Sequence, residues 1–157
     1  EEFEVQYAQV CAISSRPDLV YVYDQYNSSL FLIDVKKTTS IQKVDNLEGL
    51  LGQNIEVLEM LEHNNNLFIR TKNNDVFELD MFLNFKRKFS SAYKQLLFFK
   101  DYFIELKNNT LHLNHLTSNR VKTILLKDID VKELKINGNS FYFSNKKKIS
   151  VYEFNPE

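Results

Sequence analysis

The feature that most constrains this chain is a hairpin pattern that recurs four times. Each copy has an apolar strand, a polar turn of four or five residues, and a second apolar strand. The second strands open at Leu30, Val76, Leu111 and Ile149, which gives spacings of 46, 35 and 38 residues. A repeat of nearly fixed period indicates one supersecondary unit stacked side by side, because a single unit cannot bury its apolar face alone.

Strand-like segments flank each hairpin, so each repeat can hold four strands. The segments before the hairpins cover residues 9–14, 55–61, 94–99 and 131–136, and those after the first three hairpins cover 40–44, 85–89 and 121–126. Four-stranded antiparallel units with a period of about 40 to 50 residues are typical of the β-propeller. The sequence therefore predicts an all-β chain of about four blades. The predicted blades cover residues 8–44, 55–89, 94–126 and 131–154.

The fourth repeat has no following strand, but the N-terminal end of the chain offers one. Phe3, Val5 and Tyr7 alternate with polar residues, the pattern of a strand with one wet face. We expect this strand, over residues 2–7, to complete the last blade, because an open array would leave an unpaired edge. Residues 1–157 are predicted to form one propeller-type domain, either a complete four-bladed ring or a fragment of a larger one.

The first repeat, residues 20–34, carries the most specific signature. Asp24 is followed by two residues, Asn27, two more residues, and an apolar strand that runs from Leu30 to Asp34. This segment resembles the blade of NHL-type β-propellers, in which those positions are in register. The serine before Leu30 stands where that family usually has a basic residue, and the other three repeats have different turns. Six blades are usual in that family, so the resemblance implies a fragment of a longer propeller.

Turn chemistry explains the spacing of Asp24 and Asn27. An Asp and an Asn three residues apart can hydrogen-bond backbone groups and hold a hairpin turn tight. We therefore assign these two residues a structural role.

No catalytic, cofactor-binding or metal-binding residues are predicted. His112 and His115 are three residues apart on a strand and therefore point to opposite faces, and His63 is remote from both. The single cysteine, Cys11, excludes a zinc site built on cysteines, and three glycines are too few for a phosphate-binding loop. The carboxylates near strand ends stand where Asp serves as a local acceptor. We expect a protein that is not an enzyme and has no cofactor.

An apolar run at residues 96–99 has two interpretations. It suits an inner strand that is covered on both faces, and it also suits an exposed apolar patch for a partner. Phe98, Phe99 and Tyr102 are accordingly the candidate interaction surface.

The charge balance bears on possible partners. The net charge is −1, from 20 basic and 21 acidic residues, whereas nucleic-acid-binding domains carry a basic excess. We therefore expect no nucleic-acid partner. The short basic runs at residues 86–88 and 146–148 fall in an outer strand and a turn, and are interpreted as solvated. The longest apolar stretch, residues 95–99, is too short to cross a bilayer.

These observations predict a non-catalytic β-propeller scaffold that binds protein partners as a subunit of a larger complex. One alternative is a propeller that senses a small ligand or glycan in a central funnel. Another is a metal-dependent hydrolase or lyase on an NHL-like frame. Because the sequence opens at Glu1 without a methionine, we expect a processed product, and an exported or cell-envelope location is favoured over the cytoplasm.

Overall fold

A computed structural model describes residues 8–127, 131–145 and 147–154. Within these residues the chain forms fifteen strands and one short helix. The strands make four antiparallel sheets, three with four strands and one with three. The predicted all-β array of four antiparallel units is confirmed. Among the described residues, no helix has the length and apolar character needed to cross a membrane.

Every sheet is a meander, in which strands that follow one another in sequence are neighbours. The first sheet contains β1 (Ala8–Ile13), β2 (Leu19–Asp24), β3 (Ser29–Asp34) and β4 (Thr39–Val44). The helix α1 (Leu47–Leu51) leads to the second sheet, which contains β5 (Val57–His63), β6 (Asn66–Thr71), β7 (Asp75–Leu79) and β8 (Phe85–Ser90). The third sheet contains β9 (Phe98–Phe99), β10 (Tyr102–Lys107), β11 (Thr110–His115) and β12 (Val121–Leu125). The fourth contains β13 (Glu133–Asn137), β14 (Ser140–Ser144) and β15 (Ile149–Glu153).

Asparagine shapes two of the tight hairpins. Asn64 and Asn65 join β5 to β6, and Asn108 and Asn109 join β10 to β11, all with φ between 49° and 59°. Two consecutive residues with positive φ form the turn whose twist matches that of the flanking strands. Asn tolerates this left-handed region better than most residues, so it does here what glycine does in many hairpins.

The chain divides into two compact units, Glu1–Ser91 and Ala92–Glu157. In the first unit, alternate side chains of the first and second sheets form one core. The core includes Tyr21, Tyr23, Leu30 and Leu32 from the first sheet and Leu67, Ile69, Phe77 and Leu79 from the second. Full burial of such a side chain contributes about 1.5 to 3 kcal/mol. The single domain over residues 1–157 stays a prediction.

The core of the second unit is aromatic. Phe141 on β14 has its ring centroid 5.1 Å from that of Phe99 and 5.6 Å from that of Phe154. The buried Tyr93 hydroxyl accepts a hydrogen bond of 3.1 Å from the backbone N–H of Leu134. Leu111 and Leu113 of β11 complete the buried cluster.

Two predicted strands have different outcomes. The inner strand predicted over residues 94–99 is strand only at Phe98–Phe99, so its predicted extent is wrong. Leu96, in the apolar run, and Tyr93, just before it, are both buried although neither is in a strand. This part of the chain is therefore buried as an irregular segment. The strand predicted over residues 2–7 lies outside the described residues.

Candidate interaction site

Three aspartates at strand ends of the first unit hold the turns that follow: Asp24 and Asp34 are the last residues of β2 and β3, and Asp80 directly follows β7. Asp24 accepts hydrogen bonds from the backbone N–H of Tyr26 at 3.0 Å and from the side-chain amide of Asn27 at 3.0 Å. Asp34 accepts from the N–H groups of Lys36 and Lys37, both at 3.0 Å. Side chains that replace backbone partners in this way restrict a turn to one conformation.

The third such aspartate, Asp80, accepts three hydrogen bonds. Its carboxylate accepts from the N–H of Phe82 at 2.8 Å, the N–H of Asn84 at 2.9 Å and the Asn84 amide at 3.1 Å. Burial raises the pKa of Asp80, but these bonds outweigh it and hold the pKa below its ordinary value. The carboxylate is therefore charged at neutral pH and can accept all three bonds.

Leu83 adds an apolar anchor to the same turn. It has φ of 64° and is buried in the core of the first unit. A bulky residue in the left-handed region is strained, and such strain persists where the surrounding structure over-determines it. With Leu83 held inside and Asp80 bonded to the backbone, Phe82 is held out in solvent, 62% exposed.

Several exposed apolar residues lie at one end of the two sheets. Ser14, after β1, contacts Glu62 near the end of β5, so these strands end on the same side. Because antiparallel strands alternate in direction, the turns after β3 and β7 emerge there too. Ile13 is 83% exposed, Val35 52%, and Met81 37%. We call Ile13, Val35, Met81 and Phe82 the turn surface.

A polar network joins the two sheets at this end. Glu62 accepts hydrogen bonds from the Ser14 hydroxyl at 2.7 Å, the Ser15 N–H at 3.1 Å, and the Ser15 hydroxyl. Burial raises the pKa of Glu62, but the bonds from Ser15 and Ser14 outweigh it and hold the pKa below its ordinary value of 4.5. A general base works best with a pKa near the operating pH, so this carboxylate suits a structural link better than proton transfer.

The three residues of the predicted interaction surface, Phe98, Phe99 and Tyr102, have different environments in the structure. Phe99 is only 4% exposed and packs against Phe141 and Phe154, so it is a core residue rather than a surface residue. Phe98 and Tyr102 are half-buried. The ring of His115 stands at 89° to that of Tyr102 with centroids 5.0 Å apart. Part of the Tyr102 ring is therefore in contact with His115 and is not available to a partner.

The histidines are placed apart. His112 pairs with Glu105 across the hairpin and His115 pairs with Tyr102, so their side chains lie on opposite faces of the sheet. His63 lies in the other unit. In the part of the chain that the structure describes, no group of three or more His, Cys, Asp or Glu residues could hold a metal ion.

Sequence reasoning missed the turn surface. A signal was available, since Val35 directly follows Asp34 and Met81 and Phe82 directly follow Asp80. An apolar residue inside a polar turn, just after an aspartate at the end of a strand or directly following it, indicates a side chain that the turn holds in solvent.

Solved structures show what this fold resembles. Hsv2 from Kluyveromyces lactis has a TM-score of 0.68 at 12% identity, over 93% of this chain and 48% of Hsv2. BamB from Moraxella catarrhalis has a TM-score of 0.59 at 12% identity, over 91% of this chain and 45% of BamB. The computationally designed Ika4 protein has a TM-score of 0.58 at 13% identity, over 98% of this chain and 95% of Ika4. Hsv2 and BamB are β-propeller proteins.

The chain has the fold of a β-propeller segment. It spans about half the length of Hsv2 and BamB. At 12% to 13% identity these likenesses show the fold alone. No family model and no curated protein matches the sequence.

Proposed function

We propose that this chain is a non-catalytic β-propeller scaffold that binds a protein partner through its turn surface. The observation that carries the proposal is the exposure of Phe82 on a turn held by Asp80 and Leu83. Burial of apolar area against a partner contributes about 25 cal/mol per Å². A turn that is already ordered loses little conformational freedom on binding, so more of that contribution remains as affinity.

The charges beside the turn surface suggest the chemistry of the partner. Lys36 and Lys37 follow Val35, and their side chains are 74% and 78% exposed. Lys36 is ion-paired with Asp18 at 2.7 Å and Lys37 with Asp34 at 3.6 Å. A partner with an apolar patch and a rim of mixed charge would complement this end of the first unit, because rim charges guide encounter and fix orientation.

The absence of catalysis is part of the proposal. Glu62 uses its two serine partners, Ser14 and Ser15, to link two sheets. Its lowered pKa disfavours it as a general base. His112 and His115 lie on opposite faces of their sheet, which argues against a shared role.

We further propose that the scaffold belongs to a larger complex and that its first sheet is an NHL-type blade. Support for the blade type comes from the register of Asp24, Asn27, Leu30 and Asp34 and from the bonds between Asp24 and Asn27. The half-length match to Hsv2 and BamB supports membership of a longer propeller.

Affinity purification at native abundance tests the scaffold role. The double variant Val35→Ser, Phe82→Ser removes apolar side chains that are already in solvent, so the fold should be retained. The matched control is Tyr26→Ser, because Tyr26 is 77% exposed on a turn at the opposite end of the first sheet.

We expect a stable protein partner that is recovered with the wild type and with Tyr26→Ser, and is depleted about tenfold with the double variant. A tenfold loss corresponds to about 1.4 kcal/mol of binding free energy. Recovery of no partner, or equal recovery with both variants, would contradict the proposal.

A further inference from the structure

The outer strands of the first two sheets share a lysine that the third sheet lacks. On β4, Lys43 pairs with Phe31, and its Nζ lies 5.4 Å from the centre of that ring. On β8, Lys88 pairs with Phe77, and its Nζ lies 5.4 Å from the ring centre. Each phenylalanine is the third residue of the third strand of its sheet. The outer strands of the first unit therefore carry a cation at the same register position.

The outer strand of the third sheet, β12, has an uncharged residue at this position. The third residue of β11 is His112, and its neighbour on β12 is Thr123. β12 pairs with β11 in regular register, whereas the pairings of β4 and β8 each contain a bulge. Lysines and bulges on outer strands hinder pairing with another sheet. The third sheet has four strands, as the first two have, and the strand predicted over residues 2–7 is expected in the fourth sheet.

The side chains of β12 present an apolar edge. Val121 is 55% exposed and Leu125 is 61% exposed, and Thr123 is exposed between them. Lys122 is the one charged residue of the strand, and its Nζ lies 6.0 Å from the centre of the Tyr102 ring in the same sheet. The charge of β12 is therefore directed across its own sheet.

The backbone of β12 alternates in the direction of its hydrogen-bonding groups. The N–H of Leu126 and the carbonyl of Arg120 both bond to the hairpin of β10 and β11. Because facing alternates along a strand, the N–H and C=O groups of Val121, Thr123 and Leu125 face away from β11. The residues with outward backbone groups are thus the same three that share one face of the sheet.

We propose that β12 is a homodimerisation edge, at which two copies of this chain pair antiparallel about a two-fold axis through Thr123. In this register Thr123 faces Thr123 of the second copy, and Val121 faces Leu125 of the second copy. These residues carry the outward N–H and C=O groups, so each pair can exchange both of its hydrogen bonds. The same patch of both copies forms such an interface. Dimerisation through β12 is independent of the scaffold role proposed for the turn surface.

The side chains of β12 are self-complementary in this register. Val121 and Leu125 form apolar cross-strand pairs, and the two threonines form a pair of a type that stabilises antiparallel sheets. Lys122 stands opposite Ile124 of the second copy, so like charges are not directly opposed. The same axis through the lysine of β4 or β8 would oppose two lysines, which destabilises a cross-strand pair. β12 can therefore pair with a second copy of itself in a way that β4 and β8 cannot.

Size-exclusion chromatography with light scattering, over a range of protein concentrations, measures this association. We expect the full 157-residue chain to change from one chain mass to two as its concentration rises. Thr123→Lys and Thr123→Glu each oppose like charges at the axis, and each should weaken dimerisation about tenfold or more. Because Thr123 is exposed, both variants should fold. An equimolar mixture of the two should restore dimerisation, because opposite charges then meet.

The matched controls are Ser90→Lys and Ser90→Glu on β8. Ser90 is exposed. The N–H of Ser91 donates to Asn74 of the neighbouring hairpin, so by alternation the backbone groups of Ser90 face outward as those of Thr123 do. These variants change the net charge as the Thr123 variants do, and they should dimerise like the wild type.

A cysteine cross-link checks the register. In a hydrogen-bonded antiparallel pair the two Cα atoms are about 5.5 Å apart, which a disulfide can span. In a Cys11→Ser background, which removes the exposed free cysteine, Thr123→Cys should form a covalent dimer on oxidation. Lys122→Cys should not, because this position lies opposite Ile124 of the second copy. The reverse pattern would contradict an axis through Thr123.

Four results would overturn the inference. They are a chain that stays monomeric at all concentrations, equal association of the Thr123 and Ser90 variants, a mixture that associates no better than its components, and dimers that form only after deletion of residues 1–7. A monomeric chain that loses a protein partner when Thr123 is changed would show that β12 pairs with a strand of that partner instead of a second copy.

Discussion

In the first unit, two sheets are joined at one end by the Glu62 carboxylate and two serine hydroxyls. In the second unit, the sheets are held by aromatic rings around Phe141. The Glu62 link depends on direction and charge and adds to the apolar core that the two sheets share, whereas the contacts around Phe141 depend on volume. Hydrogen bonds contribute about 0.5 to 1.5 kcal/mol each, whereas loss of a buried aromatic ring leaves a cavity that costs several times more. The two units should therefore respond differently to mutation and to pH.

The largest effect is expected in the aromatic unit. Phe141→Ala should lower the free energy of unfolding by about 3 to 5 kcal/mol, because the ring is buried and its neighbours can collapse only partly into the cavity. Hydrogen exchange should accelerate in β13 and β14 with little change in β1 to β4. Tyr142→Ala, on the half-buried face of the same strand, is the control and should cost clearly less. Equal costs would show that volume does not decide the stability of this unit.

Mutation of Glu62, which links the two sheets of the first unit, should lower the free energy of unfolding by less, and by an amount that depends on pH. At neutral pH Glu62→Gln should cost about 1 to 2 kcal/mol, from weakened charge-assisted bonds. The folded-state pKa of Glu62 lies below its ordinary value, so the unfolded chain takes up the proton first as the pH falls. The stability from this group is present above pH 4.5 and is lost as the pH falls through the folded-state pKa.

Urea unfolding at several pH values checks this expectation. The stability difference between wild type and Glu62→Gln should be constant at neutral pH and shrink below pH 4.5. Taking the difference cancels the other carboxylates, which both proteins share. A difference that grows as the pH falls would contradict the assignment.

A smaller effect is expected at the turn that presents Phe82. Asp80→Ala removes the acceptor of three hydrogen bonds. These bonds are exposed, so water can replace much of what they contribute, and the loss should cost about 1 kcal/mol in total. It should also reduce partner recovery, because the turn surface loses its order. Asp80→Asn keeps one acceptor oxygen and should retain more of both properties. Unchanged recovery with Asp80→Ala would show that the order of this turn is not needed for binding.

The smallest effect belongs to an exposed ion pair. Lys36 and Asp18 are 2.7 Å apart, with side chains 74% and 39% exposed. Solvent screens such a pair, so Lys36→Ala should change stability by less than about 0.5 kcal/mol. Thermal melting at low and high salt measures this. A larger, salt-dependent loss would mean that surface charge contributes to the stability of the first unit in addition to the hydrogen bonds of Glu62.

The sequence by itself determined the hairpins and their repetition. Alternation of apolar residues and turn chemistry are local signals, so β2 and β3 around Asp24 and Asn27 could be placed without coordinates. The aromatic run at residues 96–99 was also recognisable as unusual. Whether it was covered or exposed was open, because a strand pattern does not say what packs on its faces.

The tertiary structure decided the matters that depend on residues distant in sequence. Glu62 meets Ser14 and Ser15 across 48 and 47 positions, and Phe99 is buried because Phe141 and Phe154 reach it from the next sheet. Phe82 is exposed because Leu83 is drawn into the core formed by both sheets. Local pattern specifies which segments are strands, but only packing between sheets specifies which side chains remain in contact with water.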